Sequence, residues 1–197
     1  MGLLGKMIVK SAVKSVAQKG AISAGVAFVN HVNSKEAGAV VSRSTATYKM
    51  VAIKKRGKFI IKDDAGKEKY VMKTNSKGTY STLYDASDCE IARVEFHKKE
   101  YPYFGAYRLY LDGRKLGDVL QKAAVKVKLD VEFNGWHIES GGLHTKFPVI
   151  DKNGNQIMTI SSSYGNDSYA IEYSNVQNEL LGLMLVMVID MRANQHD

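Results

Sequence analysis

From Thr47 onward the chain alternates apolar and polar residues with a period of two. Val125, Val127, Leu129, Val131 and Phe133 interleave with Lys126, Lys128, Asp130 and Glu132. Ala92, Val94 and Phe96 stand against Arg93, Glu95 and His97, and Tyr169, Ile171 and Tyr173 repeat the pattern late in the chain. Alternation of this kind gives a strand one face for a core and one for water. Turn signals separate the runs: Asp64-Ala65-Gly66, Asp85-Ala86-Ser87-Asp88, Asp112-Gly113, Asn134-Gly135 and Asn153-Gly154. The spacing predicts roughly ten to twelve short strands, the count of a sandwich or a barrel.

A second pattern closes the chain. Leu180 to Ile189 holds no polar side chain, with Glu179 before it and Asp190 and Arg192 after it. Ser174 and Gln177 read as a capping box, which predicts a helix over about 176–191. Glu179 suits the positive end of that helix and Arg192 the negative end. Apolar on every side, it has no face for water. Ten residues rising about 1.5 Å each give about 15 Å, half of a bilayer's hydrocarbon core of about 30 Å. Such a helix must lie inside protein.

A weak repeat says what encloses it. Residues 84–91 (YDASDCEI) align with 150–157 (IDKNGNQI), and residues 61–66 (IKDDAG) begin in the same way. In each, an apolar strand runs into an Asp-led turn and out again. Repeated hairpins favour an antiparallel meander, and closing it removes exposed edges. The expected fold is mainly β, an α+β arrangement: a closed antiparallel barrel of about twelve strands around its own C-terminal helix.

Residues 1–46 follow neither pattern and are expected to form a separate basic helical and linker segment ahead of a barrel domain at 47–197. Lys6, Lys10 and Lys14 recur every four residues as a basic stripe, and lysines continue to Lys19 where a secretory signal would be apolar. The opening Met-Gly lacks the Ser or Thr that myristoylation needs at position six. Charge sharpens this division. Residues 1–58 hold eleven Lys/Arg and one acidic residue (+10), while residues 59–197 hold seventeen Lys/Arg and nineteen Asp/Glu (−2). An anionic partner is therefore sought at the front of the chain. The single cysteine, Cys89, excludes an intramolecular disulfide framework and fits a reducing compartment.

The stretches 58–73 (KFIIKDDAGKEKYVMK), 84–96 (YDASDCEIARVEF), the Gly135-Trp136 step, 147–160 (FPVIDKNGNQIMTI) and 169–190 (YAIEYSNVQNELLGLMLVMVID), in this order, resemble the tubby C-terminal-like superfamily. The likeness is closest to its LURP-one-related branch, which shares the fold with phospholipid scramblases, and it covers about residues 47–191. It implies a twelve-stranded barrel around a central hydrophobic helix. Tubby proteins bind phosphoinositide headgroups and scramblases act on lipids, while many LURP-one-like members have no established activity. No tubby headgroup motif matches here residue by residue, so the resemblance assigns no site.

The residues offer few sites of their own. Lys54, Lys55, Arg56 and Lys58, grouped around Gly57, read as an anionic headgroup site or as a solvated turn whose lysines discourage edge pairing. Lys6, Lys10 and Lys14 are candidate contacts to a membrane surface. Asp151-Lys152-Asn153-Gly154-Asn155 departs from a calcium loop: Gln156 stands where that loop needs glycine and Ser162 where it needs Glu. His31, His97, His137, His144 and His196 lack metal-ligand spacing, so no metal and no cofactor is expected. No nucleophile elbow, P-loop or dinucleotide fingerprint occurs. Cys89 reads as a structural thiol. Tyr101, Tyr103, Phe104, Tyr107, Arg108 and Tyr110 read as core and rim packing, or as the lining of a pocket.

The expected function is a non-enzymatic module, cytoplasmic and peripheral at the membrane, docking on anionic phospholipid through its basic N-terminal region. The alternatives are a scramblase-like lipid-handling protein, a protein-binding module, and nucleic-acid binding through the basic arm. The last lacks a recognition fold signature or interleaved stacking aromatics.

Overall fold

The computed structural model describes residues 47–123, 127–140 and 145–195. Twelve strands run in order: β1 (Tyr48–Lys55), β2 (Lys58–Asp63), β3 (Glu68–Thr74), β4 (Tyr80–Asp85), β5 (Glu90–Lys98), β6 (Tyr103–Leu111), β7 (Arg114–Lys122), β8 (Lys128–Val131), β9 (Trp136–Glu139), β10 (Lys146–Ile150), β11 (Gln156–Ser162) and β12 (Ser168–Tyr173). Each pairs antiparallel with its sequence neighbours, and β1 pairs with β12 to close the barrel. A single 3-10 turn, Val176–Asn178, leads into helix α1 (Glu179–Asn194). The expected closed barrel of twelve strands around a C-terminal helix is the fold observed.

The period-two pattern has its counterpart in burial. Met50 and Ala52 of β1, Phe59 and Ile61 of β2, Ala92 and Val94 of β5, and Tyr169, Ile171 and Tyr173 of β12 all turn inward. They meet α1, in which every residue from Leu181 to Met191 is buried. Burying a Leu, Met or Val side chain is worth about 1.5–3 kcal/mol, so this uniformly apolar helix is a main source of the fold's stability. Gly182 has no side chain because there is no room: a Cβ there would stand 2.9 Å from the Met158 sulfur.

Three local expectations change. The helix starts at Glu179 and not at 176, and the capping residue is Asn175 instead of Ser174. The Asn175 side chain accepts the Gln177 N–H at 3.0 Å and caps the 3-10 turn. Of the strand expected from Val125 to Phe133, the described residues from Val127 on contribute Lys128–Val131. Phe133 leaves the ladder to cover Gly117 of β7, where a Cβ would lie 2.4 Å from its ring. Val125, Lys126 and His144 lie outside the described residues, as do residues 1–46 with the Lys6, Lys10 and Lys14 stripe.

Candidate functional site: the basic rim of the barrel

In an antiparallel barrel of consecutive hairpins, alternate turns share an end. The turns after β2, β4, β6, β8 and β10 therefore form one rim, and those after β1, β3, β5, β7, β9 and β11 form the other. The two rims differ in charge.

The Asp-led repeats all fall on the first rim, since Asp63 and Asp85 end β2 and β4 and Asp151 directly follows β10. Their carboxylates bind the turn's own backbone. Asp63 Oδ1 accepts the Lys67 N–H at 2.9 Å, Asp85 Oδ1 the Cys89 N–H at 2.9 Å, and Asp151 Oδ1 the Asn155 N–H at 2.8 Å. Each turn holds its fourth residue in the left-handed region: Gly66 at φ 77°, Asp88 at 58° and Gly154 at 83°. Burial works against the Asp151 charge, but N–H groups of Asn155 and Asn153 outweigh it and hold the carboxyl below its ordinary range. These acids shape turns, and among the described residues no group of three or more His, Cys, Asp or Glu could hold a metal ion. Cys89 is exposed beside the second of these turns, so it is not the packed structural thiol expected. It lies outside because the turn, and not the strand, sets its place.

The opposite rim is basic. Arg56 and Gly57 form the two-residue β1–β2 turn, with φ of 52° and 77°, the form that matches strand twist. Lys55 and Lys58 are direct cross-strand neighbours. Like charges set opposite one another destabilise a sheet, and here Arg56 adds a third. None of the ion pairs among the described residues includes Lys55, Arg56 or Lys58.

Lys54 departs from its neighbours. It follows Met50 and Ala52 on the inner row, its ammonium lies 5.9 Å from the Phe59 ring centroid, and its charge acts on buried Asp190. The four basic residues grouped in the sequence thus split into an outward trio and one lysine serving the barrel mouth.

Beside the trio, the Lys54 N–H donates to the Asp167 carbonyl at 2.8 Å, tying the β11–β12 turn to β1. That turn carries Tyr164, which is 99% exposed. Half a circuit around the same rim, the β5–β6 turn carries Tyr101, 89% exposed, next to Lys98 and Lys99. The aromatic group divides between core and rim, as the packing reading has it, and does not gather into a pocket. Tyr107 is buried inside, Tyr110 lies outside with the Arg93 guanidinium 4.8 Å from its ring centroid, and Tyr101 faces solvent. Sequence reasoning missed Tyr164 altogether; its position between Ser163 and Gly165 in a turn was the available signal.

The helix ends differ as the rims do. At the acidic rim, Glu179 accepts from Lys69 Nζ at 2.6 Å, Tyr70 Oη at 2.8 Å and Tyr173 Oη at 2.9 Å. At the basic rim, Asp190 accepts from Tyr169 Oη at 3.3 Å and from Asn194 Nδ2 at 3.3 Å. Burial raises the Asp190 pKa, opposed by Thr74, Lys54, Tyr169 and Asn194. An open groove of about 430 Å³ lies along β7–β9 near Trp136, but both of its lysines are paired, Lys122 with Asp130 at 2.5 Å and Lys128 with Glu139 at 3.3 Å.

Comparison with known proteins agrees with this architecture. The sequence model of the LURP-one-related family matches residues 44–190. A crystal structure of an Arabidopsis thaliana protein superposes with a TM-score of 0.53 at 16% identity, covering 79% of this chain and 99% of that one. Among curated proteins none matches the chain.

Proposed function

The chain belongs to the LURP-one-related family, and on that premise we propose that it is a non-enzymatic barrel module whose basic rim docks on an anionic phospholipid surface. The observation that carries this reading is the outward trio Lys55, Arg56 and Lys58, which forms no ion pair among the described residues, on a rim whose turns also hold out Tyr164 and Tyr101. A flat surface laid across the rim would meet these tips together. Tyrosine suits the headgroup level, with its ring toward the acyl chains and its hydroxyl in water. Each Lys or Arg near an anionic bilayer adds about 1 kcal/mol, so the trio with Lys98 and Lys99 is enough for measurable binding. The anionic cytoplasmic leaflet is the matching surface. No helix among the described residues is long and apolar enough to cross a membrane, so docking is peripheral in this reading. Lys6, Lys10 and Lys14 would add to the attraction.

Co-sedimentation with phosphatidylcholine vesicles, with and without phosphatidylserine, tests it. Full-length protein is expected to pellet only with the anionic vesicles. Binding should fall steeply with salt, because the reach of charge shortens to about 8 Å at physiological ionic strength. Replacing Lys55, Arg56 and Lys58 together by glutamine should remove most of it, and replacing Lys6, Lys10 and Lys14 part of it. If full-length protein ignores anionic vesicles even at low salt, or neither triple variant binds less, the reading is wrong and a protein partner takes its place.

A further inference from the structure

The basic rim contains a second, deeper feature: Arg192, in the last turn of α1. It is half-buried, and its Nε has no hydrogen-bond partner among the described residues. No ion pair among them includes it. Helical side chains lean toward the helix N-terminus, so an arginine starting here is aimed back into the barrel mouth. Burial pulls its pKa down, and among the described residues the ionisable group that opposes this is the Tyr107 phenol.

Among the described residues, the carboxylate of this helix end is already engaged elsewhere. Asp190 holds Tyr169 and Asn194, with Lys54 and Thr74 close by, and two residues' spacing places it on the opposite side of α1 from Arg192. Around Arg192 the groups are polar and uncharged. Tyr107 Oη donates to Gln121 Oε1 at 3.0 Å and lies 3.4 Å from Gln195 Oε1, while Gln195 Nε2 donates to the Gly78 carbonyl at 2.7 Å. That last bond fixes the β3–β4 turn, and with it Lys77, against the helix end. Lys98 and Lys99 stand on the next turn of the rim, accompanied by Glu100.

An arginine present only to offset the helix dipole could lie in water at no cost. A half-buried guanidinium with no counter-ion among the described residues is instead a group that an arriving anion would complete. Its fork suits two oxygens of a phosphate, and amides that can turn either end toward a ligand, together with a phenol, suit a third. Lys77, Lys98 and Lys99 would draw such a group into the mouth.

We infer that the barrel mouth at Arg192 is a binding site for a phosphate group, carried either by a soluble molecule or by a lipid headgroup. In the second case the site rests on the docking reading; in the first it is independent of it.

Titrating the full-length protein with inorganic phosphate and with glycerol phosphate, while following the Arg192 Nε–H resonance, reads the site directly. Saturable movement of that resonance is expected, with affinity roughly tenfold weaker in Arg192→Gln and a smaller loss in Tyr107→Phe. Vesicles separate the two sources. For a headgroup, wild type prefers phosphatidic acid to phosphatidylserine at matched charge, and Arg192→Gln loses that preference while still docking through Lys55, Arg56 and Lys58. For a soluble ligand, phosphate binds and no vesicle preference exists. An Arg192 resonance in wild type that ignores phosphate, together with no preference between the two vesicles, overturns the site. This holds whether or not the variants fold, and it leaves the docking reading standing.

Discussion

Asp190 shows how one buried group ties stability to pH. Burial raises its folded-state pKa above the ordinary carboxylate value, although Thr74, Lys54, Tyr169 and Asn194 oppose the shift. The folded protein therefore holds this proton more tightly than the unfolded chain. Its contribution to stability is full below the unfolded pKa and is lost as pH rises through the folded pKa. Asp118 has the reverse sign. Burial is outweighed by Lys115 and Arg108, its pKa is lowered, and its contribution is present above the ordinary value and lost as pH falls. Asp190→Asn keeps an acceptor for Tyr169 while removing the charge. Urea unfolding should show the variant gaining on wild type at about pH 7.5 and giving up that gain toward about pH 4. An equal difference at both values would mean that Asp190 is not strained by its burial.

Among the elements, α1 carries the greatest weight. Leu183 is fully buried in the middle of its eleven consecutive buried residues. Leu183→Asp would place a carboxylate there with no partner, at a cost of several kcal/mol against a domain's total of roughly 5–15 kcal/mol. The variant should be insoluble or unfolded by circular dichroism; a cooperative melt near the wild-type temperature would contradict the central position of the helix. This element was fully legible in the sequence, because a run with no polar side that is too short for a bilayer has nowhere to go but a protein interior. Its start was less so. Ser174 and Asn175 are both good caps, and only the path out of β12 decides that Asn175 meets the Gln177 N–H. The strands at 92–97 and 169–173 were legible from their alternation. The longest alternating run was misjudged at Phe133, whose ring covers a neighbouring glycine on β7.

The barrel is polar along its axis, with Asp-led turns on one rim and, on the other, Lys55, Arg56 and Lys58, which have no ion-pair partner among the described residues. The repeat at residues 61, 84 and 150 contained half of this, since even-numbered strands bring those turns together. The other half was not readable, because alternation separates inside from outside but says nothing of which turns share an end. For the same reason Tyr101 and Tyr164, 63 residues apart, could not be placed on one rim, and Lys54 could not be told from Lys55. Nor could sequence show that Arg192 pairs with no carboxylate among the described residues, since Asp190 is only two residues away and faces the other side. The fold thus supplies a built-in marker for orientation: Cys89 is exposed on the acidic rim and Tyr164 on the basic one. An environment-sensitive fluorophore on Cys89, compared with the same probe on Tyr164→Cys in a Cys89→Ser background, reports which end meets a phosphatidylserine vesicle. The expected result is a blue shift and protection from aqueous quencher at position 164, with position 89 unchanged. A shift at 89 with none at 164 would contradict docking through the basic rim.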